Sequence, residues 1–228
     1  MKILGYLLCI GFAWPYGLVA EEVPKSSSIP EMTLSTHHRY GVTVPSREDV
    51  EPKNVIVEVA TGRAVGAIQA DVAFVHMNHD EIVPARWNAD DSVLLWQVDG
   101  KWGFRTEVLI KLEHDKIKSQ FDLLPLFQQE MLKRTREATP KQYASVRQGS
   151  GSYGSWFKDG FAIDCVLDDK EGPLKFPLLF HCFLTSHTKG PDDAVNVDAR
   201  MTVRVNEDGT FKVEKFYLGT EPPSRNWN

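Results

Sequence analysis

Two cysteines and a short histidine run carry the side chains best suited to chemistry. Cys165 and Cys182 sit in β-like stretches of alternating polarity, FAIDCVL and FHCFL. If these stretches form a hairpin turning near Gly172-Pro173, the two cysteines face each other on its apolar side. Cross-strand Cβ atoms lie about 4.5–5.5 Å apart, close to what a disulfide needs. The sequence therefore predicts a Cys165–Cys182 disulfide, with a pair of buried free thiols as the alternative. The spacing is not Cys-x-x-Cys, which argues against a thioredoxin-like activity. The run His76-Met77-Asn78-His79-Asp80-Glu81 offers two imidazoles beside carboxylates, ligand types that metal sites use. On a strand, residues three apart point to opposite faces, so His76 and His79 could ligate together only from a loop or a helical turn. The adjacent His37 and His38 diverge in the same way, and His181 and His187 flank the second cysteine strand. The expectation is loop and surface histidines, with His76 and His79 as the metal candidates and no cofactor.

Other catalytic patterns fail on context. Gly149-x-Gly151-x-x-Gly154 matches the dinucleotide fingerprint in letters only. That motif works after a strand and at the start of a helix, whereas here it follows a helical segment and precedes a strand. There is no Gly-x-Ser-x-Gly elbow. The carboxylate pairs Asp90/Asp91 and Asp168/Asp169 fall at turns, where acids usually bond the local backbone or water. Trp87, Trp96 and Trp102 could line a carbohydrate or peptide groove; the alternative is sheet core.

The elements that must position these groups are mostly strands. The chain has 228 residues and a net charge of −5. It opens with Lys2, an apolar run from Ile3 to Ala13, Pro15 and Gly17, and the small Ala20, the order of an export signal. The run is too short for a comfortable membrane span. Cleavage near Ala20 would remove Lys2 and no acid, leaving two of the three cysteines. The expectation is a periplasmic or extracellular protein with no stable membrane insertion. Its acidic balance disfavours nucleic acid as a partner. Residues 21–33 read as a flexible tether. Residues 34–122 read as strand meanders, 123–148 as helical, 149–159 as a linker, and 160–220 as a sheet. Within the helical part, Leu124, Phe127, Met131 and Thr135 form an amphipathic stripe after Pro125. The C-terminal part holds four strands, 160–167, 174–185, 198–206 and 210–218, with a hairpin turn at Asp208-Gly209.

The meander region repeats weakly at an offset of 52 residues, with Ser35 matching Trp87, Tyr40 matching Ser92, and Asn54 matching Thr106. The stretch RWNADDSVLLWQVDGKW, Arg86 to Trp102, resembles blade segments of exported propeller-like repeat proteins. In those, a Trp- or Ser-led turn carrying an Asp precedes an apolar strand. Trp87, Asp90 and Asp91 stand where that pattern has them, while His37 and His38 replace the usual Asp and Gly in the first unit. Two units cannot close a propeller, which takes about four blades, so a sandwich or a pair of packed meanders is expected. The fold class is mainly β with a central helical segment (α+β): two meander or blade-like units plus a C-terminal four-stranded antiparallel sheet. This architecture, without a catalytic motif, points to a non-catalytic binding or interaction module for a protein or carbohydrate partner. The alternative is a hydrolase or metal-assisted enzyme with scattered His and carboxylate groups.

Overall fold

A computed structural model describes residues 27–45, 52–70, 81–100, 103–149, 157–168, 172–186 and 196–219. The protein is mostly β, with three antiparallel sheets and two α-helices among the described residues. The first sheet is the meander β1 (Tyr40–Val42), β2 (Val55–Glu58) and β3 (Ala64–Ala67). The second is built on β6 (Val93–Gly100), β7 (Gly103–Glu113) and β8 (Lys116–Asp122), with the short β4 (Glu81–Ile82) and β5 (Arg86–Trp87) along the free side of β6. Helices α1 (Leu123–Ala138) and α2 (Pro140–Gly149) follow, and then β9 (Phe161–Leu167), β10 (Leu178–Ser186), β11 (Asp198–Val205) and β12 (Phe211–Leu218) in consecutive order. Within the meander region, the β-rich run Val72–Met77 lies outside the described residues.

The second sheet is the middle layer, and its sequence says why. Successive strand residues point to opposite faces, yet the run Val93–Val98 is buried throughout. Leu94, Trp96 and Val98, with Val108 and Ile110 of β7, pack against Tyr40, Val42 and Ile56 of the first meander. Val93, Leu95 and Leu109 point the other way, into a core shared with α1 and the C-terminal sheet. There the expected helical stripe is met: Leu124, Phe127, Met131 and Thr135 are all buried. The Phe127 ring lies 5.2 Å from that of Phe180 and 5.6 Å from that of Phe211.

The internal repeat is visible in backbone hydrogen bonds, with its register moved by one residue. Ser35 N donates to Tyr40 O (2.8 Å) and His38 N to Ser35 O (2.9 Å); Asn88 N donates to Val93 O (2.9 Å) and Asp91 N to Asn88 O (3.3 Å). His38 (φ 56°) and Asp91 (φ 60°) occupy the same left-handed position, one that His and Asp tolerate better than most residues. Gly62 (φ 69°) and Asp115 (φ 58°) match in the next turn. Each correspondence is an offset of 53 residues, so Ser35 pairs with Asn88 and not with Trp87. The strand composition around Trp87 and Trp96 conceals this shift, because both candidate registers align apolar residues.

Residues 27–33, expected as the end of a tether, are held in place. Ser28 bridges to Val44, and the buried Thr33 hydroxyl accepts from Val42 N at 3.1 Å. Pro177 directly precedes β10, where its missing N–H costs no ladder bond. The open edges of β3 and β8 meet across one side chain. Gln120 Nε2 donates to Ala67 O (2.9 Å), and Gln120 Oε1 accepts from Gln69 N (2.9 Å).

The Asp208-Gly209 turn forms as expected, with Gly209 at φ 77°. A Cβ there would also run into the Phe121 ring. Gly209→Val should therefore lower unfolding free energy by about 2 kcal/mol or more, from strain plus ring displacement. A denaturant midpoint unchanged from wild type would refute the turn.

Candidate functional site

Two aspartates of the middle sheet gather donors from the first meander and shape a cleft. Asp91 is 2% exposed and stands at the left-handed position of the turn before β6. Its carboxylate accepts from Ser35 Oγ (2.9 Å) and His37 N (3.2 Å), with His37 Nδ1 at 3.4 Å. Asp115, in the β7–β8 turn, accepts from Tyr40 Oη (2.5 Å) and Arg39 Nη2 (2.6 Å), and Arg63 Nη2 lies at 3.4 Å. Burial, then the bond to Asp115, pushes the Tyr40 hydroxyl up to about 12. The same bond, helped by Arg39 and Arg63, holds the Asp115 carboxyl below the usual range. Asp90 is held low by the Ser92 hydroxyl and amide. These groups border a cleft of about 460 Å³, rimmed by Arg39, Ser92, Glu113 and His114.

The two serine hydroxyls of this arrangement are not set for nucleophilic attack. A serine nucleophile needs a base at its hydroxyl. Ser35 instead gives its proton directly to Asp91 while its oxygen accepts from Tyr40 N (3.0 Å), and it is buried. Ser92 Oγ donates to Asp90 Oδ1 at 2.5 Å. No imidazole stands between a hydroxyl and a carboxylate in either set. Arg39 and His37 remain more than half exposed beside the cleft, available to a ligand.

The residues singled out by sequence are dispersed. Trp87 (3% exposed) and Trp96 (0%) lie in the core between the first two sheets, so they cannot line a groove; Trp102 lies outside the described residues. Trp87 stacks on Tyr40 at 5.8 Å and donates Nε1 to Thr33 O at 3.2 Å, which anchors the cleft wall. His76, His79, His187, Asp169, Gly151 and Gly154 lie outside the described residues, and Gly149 ends α2. His181 and Asp168 do meet, with Nε2 3.4 Å from the carboxylate. Among the described residues, no three His, Cys, Asp or Glu side chains form a metal-holding group.

Cys165 and Cys182 are direct partners in the β9–β10 register and fully buried, as the hairpin reading requires. Asp168 N donates to Leu179 O (2.9 Å), which makes those two a hydrogen-bonded pair. Alternation along the ladder then makes Cys165–Cys182 a non-hydrogen-bonded pair, where side chains approach most closely. The expected disulfide is not formed: the cysteines are free thiols, and the sulfurs, 2.6 Å apart, are outside bonding distance. Burial, then the Cys182 thiol and the nearby Glu107 and Asp164 carboxylates, pushes the Cys165 thiol up.

Glu107 is the group that sequence reasoning missed. It is 0% exposed, on the β7 face that also carries Leu109. Gln97 Nε2, directly across on β6, donates to its Oε1 at 3.0 Å. Its Oε2 has no partner among the described residues. Burial, reinforced by Asp122 and Asp164 against the Gln97 bond, raises its pKa to about 8. The signal was available: a glutamate beginning the run EVLIKL, in a strand apolar on both faces, must either break the strand or enter the core.

No family model matches the chain, and neither a curated protein nor a solved structure matches it.

Two outcomes follow. Asp91→Ala leaves the Ser35 hydroxyl and the His37 amide without their acceptor and puts alanine at positive φ; it should cost about 2–3 kcal/mol in chemical denaturation. A loss within experimental error of zero would mean that the turn stands without the carboxylate. Glu107 keeps its proton to about pH 8 when folded and loses it near 4.5 when unfolded. The folded state thus binds the extra proton, and stability falls as pH rises from about 4.5 to 8, then levels. Glu107→Gln, which mimics the protonated acid, should match wild type near pH 4.5 and exceed it by on the order of 4 kcal/mol at pH 8. Parallel stability–pH curves for the two proteins would refute the buried acid.

Proposed function

We propose that this is an exported binding module whose cleft, between the first meander and the middle sheet, takes a polar protein or carbohydrate ligand. The observation that carries the reading is the pairing of Asp91 and Asp115. Both carboxylates are already satisfied by donors from the first meander, while Arg39 stays exposed at the rim and His37 stays exposed beside Asp91. Pre-paired acids fix a surface in advance of binding, which lowers the ordering cost of recognition. The opening residues, Lys2 to Ala20, support export, and an oxidising compartment would then favour a Cys165–Cys182 disulfide. The two blade-like units, packed face to face, fit a recognition role better than a closed propeller.

The test is binding of the mature chain to immobilised glycan and peptide arrays, beside Arg39→Ala. Selective retention that falls at least tenfold in the variant, with an unchanged melting temperature, is the expected result. Retention indifferent to Arg39→Ala would remove the cleft as the site. Turnover of ester, peptide or glycoside substrates that a chelator abolishes would replace the reading with a metal-assisted hydrolase.

A further inference from the structure

The β9–β10 hairpin joins the thiol pair to the cleft by a continuous series of bonds. At its tip, Leu174 N donates to Trp87 O (2.8 Å), and the Arg86 guanidinium donates to Gly172 O (2.9 Å). Asn88 and Leu174 form a parallel bridge. Asn88 also builds the turn that presents Asp90 and Asp91: its Oδ1 accepts from Val93 N (3.0 Å), and its carbonyl accepts from Asp91 N and from the Thr36 hydroxyl. Midway along the hairpin, Cys165 and Cys182 oppose each other at a non-hydrogen-bonded position. β9 is an outer strand of its sheet, paired within it to β10.

We propose that Cys165 and Cys182 are a redox-convertible clasp whose oxidation steadies the docking of the hairpin tip on β5, and through it the cleft turn. The oxidant is a small-molecule disulfide, RSSR. One cysteine thiolate attacks it to give a mixed disulfide and releases RSH. The second thiol displaces the remaining RS group, forming the Cys165–Cys182 bond and a second RSH. Two electrons pass to RSSR, and the two cysteine protons leave with the released thiols. The new bond closes residues 166–181 into a covalent loop and ties the outer strand β9 to β10. This reduces the freedom available to an undocked tip. Both thiols are buried, so attack requires the hairpin to open, and closure of the bond then opposes reopening. The inference rests on the export reading for its oxidising surroundings, and its test needs no cleft ligand.

The experiment compares the full mature chain after dithiothreitol and after oxidised glutathione. Intact mass and alkylation under denaturing conditions read the thiols. Amide exchange at Leu174 reads tip docking. The expected result is loss of two hydrogens, no alkylatable thiol, and at least tenfold slower exchange at Leu174 in the oxidised form. The double variant Cys165→Ala/Cys182→Ala should show no difference between treatments; should it fail to fold, the two wild-type states still decide the matter. Two thiols that remain alkylatable, or a glutathione adduct in place of the internal bond, would overturn the clasp at its chemistry. An internal disulfide that leaves Leu174 exchange unchanged would overturn the coupling while the disulfide itself stands.

Discussion

A sheet with two apolar faces must be covered twice, and the architecture follows from that constraint. Val93–Val98 and its partner strand β7 cannot expose either face without a large hydrophobic cost. The first meander covers one face. The α1 stripe and the C-terminal sheet cover the other. The order of elements along the chain matches the order of layers, which keeps every connection local.

Covering the first face left polar turns from two layers against each other, and the aspartates resolve this. Asp91 and Asp115 both sit at positive φ, where a short polar side chain is tolerated and can reach out from the turn. Each receives donors from the other layer, so the meander is aligned by directional bonds as well as by packing. The same pairing limits the chemistry available. A carboxylate engaged by a serine, an amide or an arginine is a poor base for anything else, and the neighbouring hydroxyls are already committed to it as hydrogen-bond donors. Arg39 and His37 remain more than half exposed beside this pairing.

The layered β content, the helical stripe, the hairpin turns and the facing cysteines were legible because each depends on local periodicity. Leu124, Phe127, Met131 and Thr135 announce their face by spacing alone. The cleft was not legible, because it depends on the pairing of Ser35 with Asp91 and of Tyr40 with Asp115, contacts between residues distant in sequence. The tryptophans left groove and sheet core both open to the sequence, because aromatic alternation does not say which face of a strand meets another layer; Trp87 and Trp96 face one, as the core reading holds. The repeat was read one residue short because the register is set by turn hydrogen bonds at Ser35 and Asn88, which residue similarity does not weigh. Glu107 was passed over as an ordinary strand polar residue, although it opens the apolar run Val108–Ile110.

The bridge made by Gln120 has a consequence for how the molecule behaves among its own copies. β3 and β8 each end a sheet, and an unpaired strand edge offers its N–H and C=O groups to any extended segment that approaches. The carboxamide of Gln120 has one donor and one acceptor face, as a peptide group does. By giving its N–H to Ala67 and taking one from Gln69, it acts as a rung between two edges that share no ladder. Ala67 O and Gln69 N on the β3 side are thereby occupied by a side chain of β8, and at that point β3 is not free to template the addition of a strand from a second chain.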